Sequence, residues 1–66
     1  MKEVDARGLS CPEPLMLTIE ALKDGGEVKV LVTEPHQKNN VQKLAREKGR
    51  KFASKDMGDY FEIVLS

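Results

Sequence analysis

Two prolines separated by one residue, in the run Ser10-Cys11-Pro12-Glu13-Pro14, constrain where the first helix of this 66-residue chain can begin. The first four backbone N–H groups of a helix have no partner within the helix, so proline is tolerated only among them. If Cys11 is the N-cap, both prolines fall at such positions. If Ser10 were the N-cap, Pro14 would remove the first true helical hydrogen bond. The spacing therefore predicts that Cys11 is the N-cap and that its thiol lies at a helix N-terminus.

This placement predicts a reactive thiol. The partial positive charge of the helix start favours thiolate over thiol. We expect a moderate effect, because Pro12 and Pro14 supply no N–H donors and the carboxylate of Glu13 opposes a negative sulfur. Arg7 is the nearby cation that could offset Glu13, so Arg7 and Glu13 are predicted modulators of the thiolate. The alternative, a buried and inert cysteine, needs apolar neighbours that this loop-to-helix junction lacks.

Composition excludes several classes of protein. Sixty-six residues fit one domain, residues 1–66, and a single cysteine excludes an internal disulfide, which favours a reducing, cytoplasmic setting. The sequence contains no signal-like or membrane-spanning apolar run, so no membrane partner is expected. Eleven basic and eleven acidic residues cancel, which argues against binding nucleic acid by bulk charge.

The spacing of apolar residues predicts six elements in the order βαβαββ. Strands are expected over residues 2–6, 27–33, 51–55 and 60–65, and helices over residues 12–23 and 35–48. Gly25-Gly26 and Gly49 supply the helix ends. The apolar stripe of the first helix is predicted to comprise Leu15, Met16, Ile19 and Leu22.

This order predicts an α+β fold, a two-layer α/β sandwich in which both helices cover one face of a four-stranded mixed sheet. The other face of the sheet is expected to be partly open to water. Its predicted residues are Lys29, Leu31, Glu62 and Val64.

The residues Asp5, Gly8, Leu9, Cys11, Pro12 and Pro14 form the pattern D-x-x-G-L-x-C-P-x-P. This pattern resembles the signature of the TusA/SirA-type sulfur-carrier proteins, and the chain is similar to them throughout in length and element order. The segment around residues 40–45 and Gly49 resembles most the selenium-metabolism-associated branch of that family.

The resemblance implies the same two-layer fold and a catalytic Cys11 that carries sulfane sulfur covalently as a persulfide, without a cofactor. It implies two partners, namely a donor such as a cysteine desulfurase or another sulfurtransferase, and an acceptor protein. The residues themselves show no resolving cysteine and no general acid/base pair, so we expect a sulfurtransferase-type carrier rather than a self-contained enzyme. Asp5 is expected either to orient the loop or to end the first strand, and we favour the second. Gly8 is expected to serve a turn of positive φ or a close approach of the backbone to the thiol.

Residues 38–51 carry six basic side chains against Glu47 alone. This face is either solvated surface or a docking site for partners, and the predicted docking residues are Lys43, Arg46, Arg50 and Lys51.

An alternative function is a small RNA-binding or regulatory adaptor domain that uses the basic second helix, although two phenylalanines, one tyrosine and no tryptophan weaken the RNA-binding hypothesis. His36 has no second ligand nearby in sequence, so no metal site is expected.

Overall fold

A computed structural model describes residues 2–9, 13–23 and 25–66, and its six elements follow the predicted order. They are β1 (Lys2–Asp5), α1 (Glu13–Leu22), β2 (Val28–Val32), α2 (Pro35–Glu47), β3 (Phe52–Asp56) and β4 (Phe61–Leu65). The order βαβαββ is confirmed, and the bounds differ from the predicted ones by at most one residue at each end. Within the described ranges, no helix is long and apolar enough to cross a membrane.

The four strands form one mixed sheet in the order β1-β2-β4-β3. β1 runs parallel to β2, whereas β4 pairs antiparallel with both β2 and β3. A parallel pair needs a crossover connection, and α1 supplies it between β1 and β2. The β3–β4 pair is the predicted hairpin, closed by a bond from the Met57 N–H to the Tyr60 carbonyl (2.9 Å).

One face of the sheet carries the core. Alternate residues of the two central strands, β2 and β4, point to this face, and all of them except the partly buried Phe61 are fully buried. Burial of each such aliphatic side chain stabilises the fold by about 1.5–3 kcal/mol. Both helices pack on this face, so the predicted α+β two-layer sandwich is confirmed. The core residues of β2, β4 and α2 are Val28, Val30, Val32, Ile63, Leu65, Val41, Leu44 and Ala45.

The predicted apolar stripe of α1 is wrong at two positions. Met16 is 61% exposed and Ile19 is 36% exposed. Helix α1 instead presents its smaller residues to the core, with Thr18 and Ala21 buried, and small side chains allow a close approach between packed elements. The Thr18 hydroxyl donates to the carbonyl oxygen of Pro14 (2.8 Å), which satisfies the buried polar group. The buried residues of α1 are Pro14, Thr18, Ala21 and Leu22.

Neither of the two described helices packs on the second face of the sheet, as predicted. Lys29 lies between two carboxylates there, with Nζ 3.7 Å from Glu62 and 4.0 Å from Glu3. Leu31 points to this face but is only 7% exposed, which corrects the expectation that it is open to water. In the sheet register Leu31 lies between Asp5 and Glu62, whose side chains flank it on the same face.

Helix α2 has defined ends. Glu34 is the N-cap, Pro35 follows in the first turn, and Glu34 and Gln37 form a reciprocal capping box. Gly49 adopts φ +69° directly after the C-cap, which confirms the predicted glycine end of this helix. The capping box fixes Gln37 at the end of α2 nearest the candidate site.

Candidate functional site

The cysteine itself, with Ser10 and Pro12, lies outside the described residues, and so does the predicted N-cap at Cys11. The residues on either side are described. Leu9 ends the segment that approaches Cys11 from β1, and Glu13 is the first described residue of α1. The geometry of the candidate site is therefore the geometry of these two flanks.

The approaching segment turns sharply after β1. Ala6 is fully buried, and its N–H donates to the carbonyl of Leu31 (2.8 Å). The Leu9 N–H then donates back to the carbonyl of Ala6 (3.3 Å), while Gly8 adopts φ +79°. A residue with a Cβ is disfavoured at that φ, so the turn accounts for the glycine, as predicted.

Two side chains hold this turn, one just before α2 and one in its first helical turn. The Oγ1 of Thr33 accepts a hydrogen bond from the Gly8 N–H (2.8 Å). The Nε2 of Gln37 donates to the carbonyl of Leu9 (2.6 Å), and Gln37 is only 3% exposed. Sequence reasoning missed both residues. The capping-box spacing of Glu34 and Gln37 was the signal that could have singled out Gln37.

Asp5 and Arg7 form a bidentate ion pair. Nε and Nη2 of Arg7 lie 2.9 Å from the two carboxylate oxygens of Asp5. These hydrogen bonds, together with one from the Arg7 backbone N–H, lower the pKa of Asp5 from 3.8 to about 2 and raise that of Arg7. The guanidinium also stacks over the ring of Tyr60, 4.9 Å from its centroid.

This pair bears on two predictions about the site. Asp5 ends β1, as expected, and in addition orients Arg7. Because the charge of Arg7 is already balanced by Asp5, its field at any neighbouring group is weakened. Its role as a modulator of the thiolate stays a prediction, as does that of Glu13, whose side chain is exposed at the start of α1.

The four predicted docking residues differ in their surroundings. Lys43 and Lys51 are exposed, and Arg46 stacks over the Phe52 ring at 5.4 Å. Arg50 is bound to backbone, because its Nη2 donates to the Gly26 carbonyl and its Nε to the Ser66 carbonyl (3.1 Å). The structure therefore gives Arg50 a role in joining three parts of the fold.

Comparison with known proteins identifies the family. A family model described as Sulfurtransferase TusA matches residues 2–66. The chain belongs to the TusA sulfurtransferase family. It is also similar to the crystal structure of a SirA-like protein from Desulfitobacterium hafniense, with a TM-score of 0.92 and 28% identity over 98% of this chain and 95% of that one.

Curated relatives match a shorter stretch. The sulfur carrier protein TusA of Pseudomonas fluorescens (strain SBW25) is 40% identical over 44 residues, which are 62% of this chain and 53% of the relative. TusA of Pseudomonas aeruginosa (strain LESB58) is 40% identical over 62% of this chain and 56% of its own length. The chain thus spans about half the length of the curated relatives it matches. The assignment to the selenium-associated branch stays a prediction.

Proposed function

We propose that this chain is a sulfur carrier that accepts sulfane sulfur on Cys11 as a persulfide and delivers it to an acceptor protein. The observation that supports this most is the family match over residues 2–66, which includes the only thiol in the sequence. That thiol stands in the run Cys11-Pro12-Glu13-Pro14, between an anchored turn and the start of α1.

The transfer needs only a nucleophilic sulfur. The thiolate of Cys11 attacks the outer sulfur of a donor persulfide, a new S–S bond forms, and the donor's S–S bond breaks. The donor cysteine leaves with the electron pair as a thiolate, and the proton of the persulfide passes to solvent or to that thiolate. No external oxidant or cofactor is needed, because the oxidation level of the transferred sulfur is unchanged.

Release requires a second protein. A carrier with its own resolving thiol could discharge by forming an internal disulfide, but this sequence has no second cysteine. The partners we propose are a donor, namely a cysteine desulfurase or another sulfurtransferase, and an acceptor that attacks the persulfide of Cys11. A reducing cytoplasm would keep the thiol ready for loading.

The local charge favours the thiolate. Helix α1 begins at Glu13 in the described residues, so its positive end lies at Glu13, two residues after Cys11 in sequence. We expect Cys11 to titrate below about 8.5, the value of an unperturbed thiol. The rate of iodoacetamide alkylation against pH measures this, and an apparent pKa of about 8.5 or higher would contradict the activation.

The decisive test is sulfur loading. After incubation with a cysteine desulfurase and L-cysteine, the intact mass should increase by one sulfur atom and return to its original value on reduction. Cys11→Ser should keep the circular dichroism spectrum of the parent and gain no sulfur. Retained labelling of Cys11→Ser, or a parent protein that no desulfurase loads, would contradict the proposal. Salt-sensitive RNA binding by that unloaded parent would favour the alternative function instead.

For docking we propose Lys43 and Lys51, two of the predicted basic residues whose side chains are exposed. Reversing either to glutamate should slow loading at low salt and have little effect at high salt, because screened charges steer association only weakly. Lys55→Glu is the matched control for Lys43→Glu, since it makes the same charge change on the helix-free face of the sheet. Equal loading rates for Lys43→Glu, Lys51→Glu and Lys55→Glu would contradict the docking role and indicate that the basic face is ordinary solvated surface.

A further inference from the structure

Gln37 is a buried polar side chain whose two ends bind two different parts of the backbone. Its Oε1 accepts a hydrogen bond from the Glu34 N–H (3.2 Å), which completes the capping box of α2. Its Nε2 donates to the carbonyl of Leu9 at 2.6 Å. Leu9 is 28 positions away in sequence and only two residues before Cys11. The cap of one helix is thus joined to the segment that carries the thiol.

The capping box alone does not require the hydrogen bond from Gln37 to Leu9. A capping box needs only the side-chain oxygen at this position, and glutamate supplies that oxygen as well as glutamine does. The amide nitrogen is the part that reaches the Leu9 carbonyl. Because the side chain is 3% exposed, water has little access to replace the amide nitrogen as a donor if it is removed.

A second bond holds the same turn. The Gly8 N–H donates to Oγ1 of Thr33, one residue before the N-cap Glu34. Two side-chain hydrogen bonds therefore attach the segment before Cys11 to the start of α2: Gln37 donates one and Thr33 accepts the other. Leu9 is also packed against the core, so side-chain packing and hydrogen bonds act on the same residue.

We propose that Gln37 is a positioning residue for sulfur transfer, whose amide holds the carbonyl of Leu9, two residues before Cys11 in sequence, in one place while the thiolate attacks the donor persulfide. This inference rests on the proposed function, since it concerns the same thiol. In-line attack on a persulfide depends on orientation, and a segment with several orientations spends less time in the productive one.

The test separates the two ends of the Gln37 side chain. Gln37→Glu keeps the acceptor for the Glu34 N–H and removes the donor to Leu9. Gln37→Met removes both groups at similar volume. Glu34→Ala is the matched control, because it removes the other half of the capping box and leaves the bond from Gln37 to Leu9 in place.

Two rates are measured on each variant. The first is single-turnover loading from a purified cysteine desulfurase charged with radiolabelled L-cysteine, as a function of desulfurase concentration. The second is alkylation by iodoacetamide at pH about 10, where an unperturbed thiol is ionised. Circular dichroism at the same temperature gives the folded fraction, so that loss of fold is distinguished from loss of positioning.

If Gln37 has this positioning role, Gln37→Glu and Gln37→Met should lower the maximum loading rate about five- to tenfold. Loss of one hydrogen bond lowers the population of the productive conformation by about that factor. The half-saturating desulfurase concentration and the alkylation rate should change less than about twofold, because docking and thiol access are intact. Glu34→Ala should load at the parent rate.

Two results would overturn the inference. One is parent-like maximum loading rates in both Gln37 variants. The other is a parallel fall in loading, alkylation and folded fraction that Glu34→Ala shares, which would make Gln37 a helix-capping residue only. Both results require a parent protein that accepts sulfur, so they are distinguishable from failure of the carrier function itself.

Discussion

Arg50 and Lys51 are adjacent, carry the same charge and were both predicted to dock partners, yet the structure gives them different roles. The guanidinium of Arg50 donates to the carbonyls of Gly26 and Ser66. No hydrogen bond from the Lys51 side chain is described, and its contacts with Ser66 are made by backbone atoms. Substitution of each by methionine therefore removes one positive charge in both cases and two hydrogen bonds in only one.

The expected difference follows from those two bonds. Hydrogen bonds contribute about 0.5–1.5 kcal/mol each, and both carbonyls belong to exposed residues, where water can replace the lost donor. The Ser66 carbonyl also keeps the Lys51 N–H as a donor (3.1 Å). We therefore expect Arg50→Met to lower the free energy of unfolding by about 1.5 kcal/mol in total. For a domain of this size, that corresponds to a fall in Tm of about 6–12 °C.

Thermal unfolding followed by circular dichroism measures this difference. Lys51→Met should unfold within about 4 °C of the parent, because exposed substitutions away from specific contacts change the stability by about 0.5 kcal/mol or less. Equal Tm values for Arg50→Met and Lys51→Met would refute the reasoning. The comparison also decides which residue is suitable for docking experiments, since a charge reversal at Arg50 would change the fold and the surface together.

Two further predictions concern the turn before the cysteine. Because the bonds from Arg7 lower the pKa of Asp5 to about 2, the stability that Asp5 contributes is fully present above about pH 4 and is lost as pH falls through 2. Asp5→Asn should therefore have a lower Tm than the parent at neutral pH, and the difference should shrink as pH falls from about 4 to 2; a constant difference would contradict this. Gly8→Ala should lower stability by about 1–2 kcal/mol, because φ is +79° and no atom crowds the added Cβ. Gly26→Ala, also uncrowded but without a positive φ, is its control, and equal losses in denaturant unfolding would refute the role of φ.

Local patterns in the sequence predicted the elements well. Period-two alternation found the strands of the sheet, and the dipeptide Glu34-Pro35 marked the boundary between β2 and α2. The stripe of α1 was predicted wrongly at two of its four positions: Leu22 is buried and Leu15 packs against the core, but Met16 and Ile19 are exposed. The space between α1 and the sheet instead holds Thr18 and Ala21, and the size of that space depends on elements distant in sequence.

The flanks of the candidate site also contain both contacts that depend on local sequence and contacts that depend on the tertiary fold. The bond from Arg7 to Asp5 spans two residues, but the stacking of Arg7 on Tyr60 joins two strand ends that only the folded sheet brings together.

Gln37 shows most clearly why the sequence could not assign every role. Its position three residues after Glu34 predicts a helix cap, and the structure contains that cap. Its second bond, to Leu9, depends on where β1 places the turn before Cys11, which in turn depends on the parallel pairing of β1 with β2. The local capping motif thus explains the hydrogen bond that the Gln37 side-chain oxygen accepts, whereas only the tertiary fold explains the one that its nitrogen donates. Comparing Gln37→Glu with Gln37→Met is informative for this reason, because glutamate keeps the acceptor of the capping bond and removes the donor to Leu9, whereas methionine removes both.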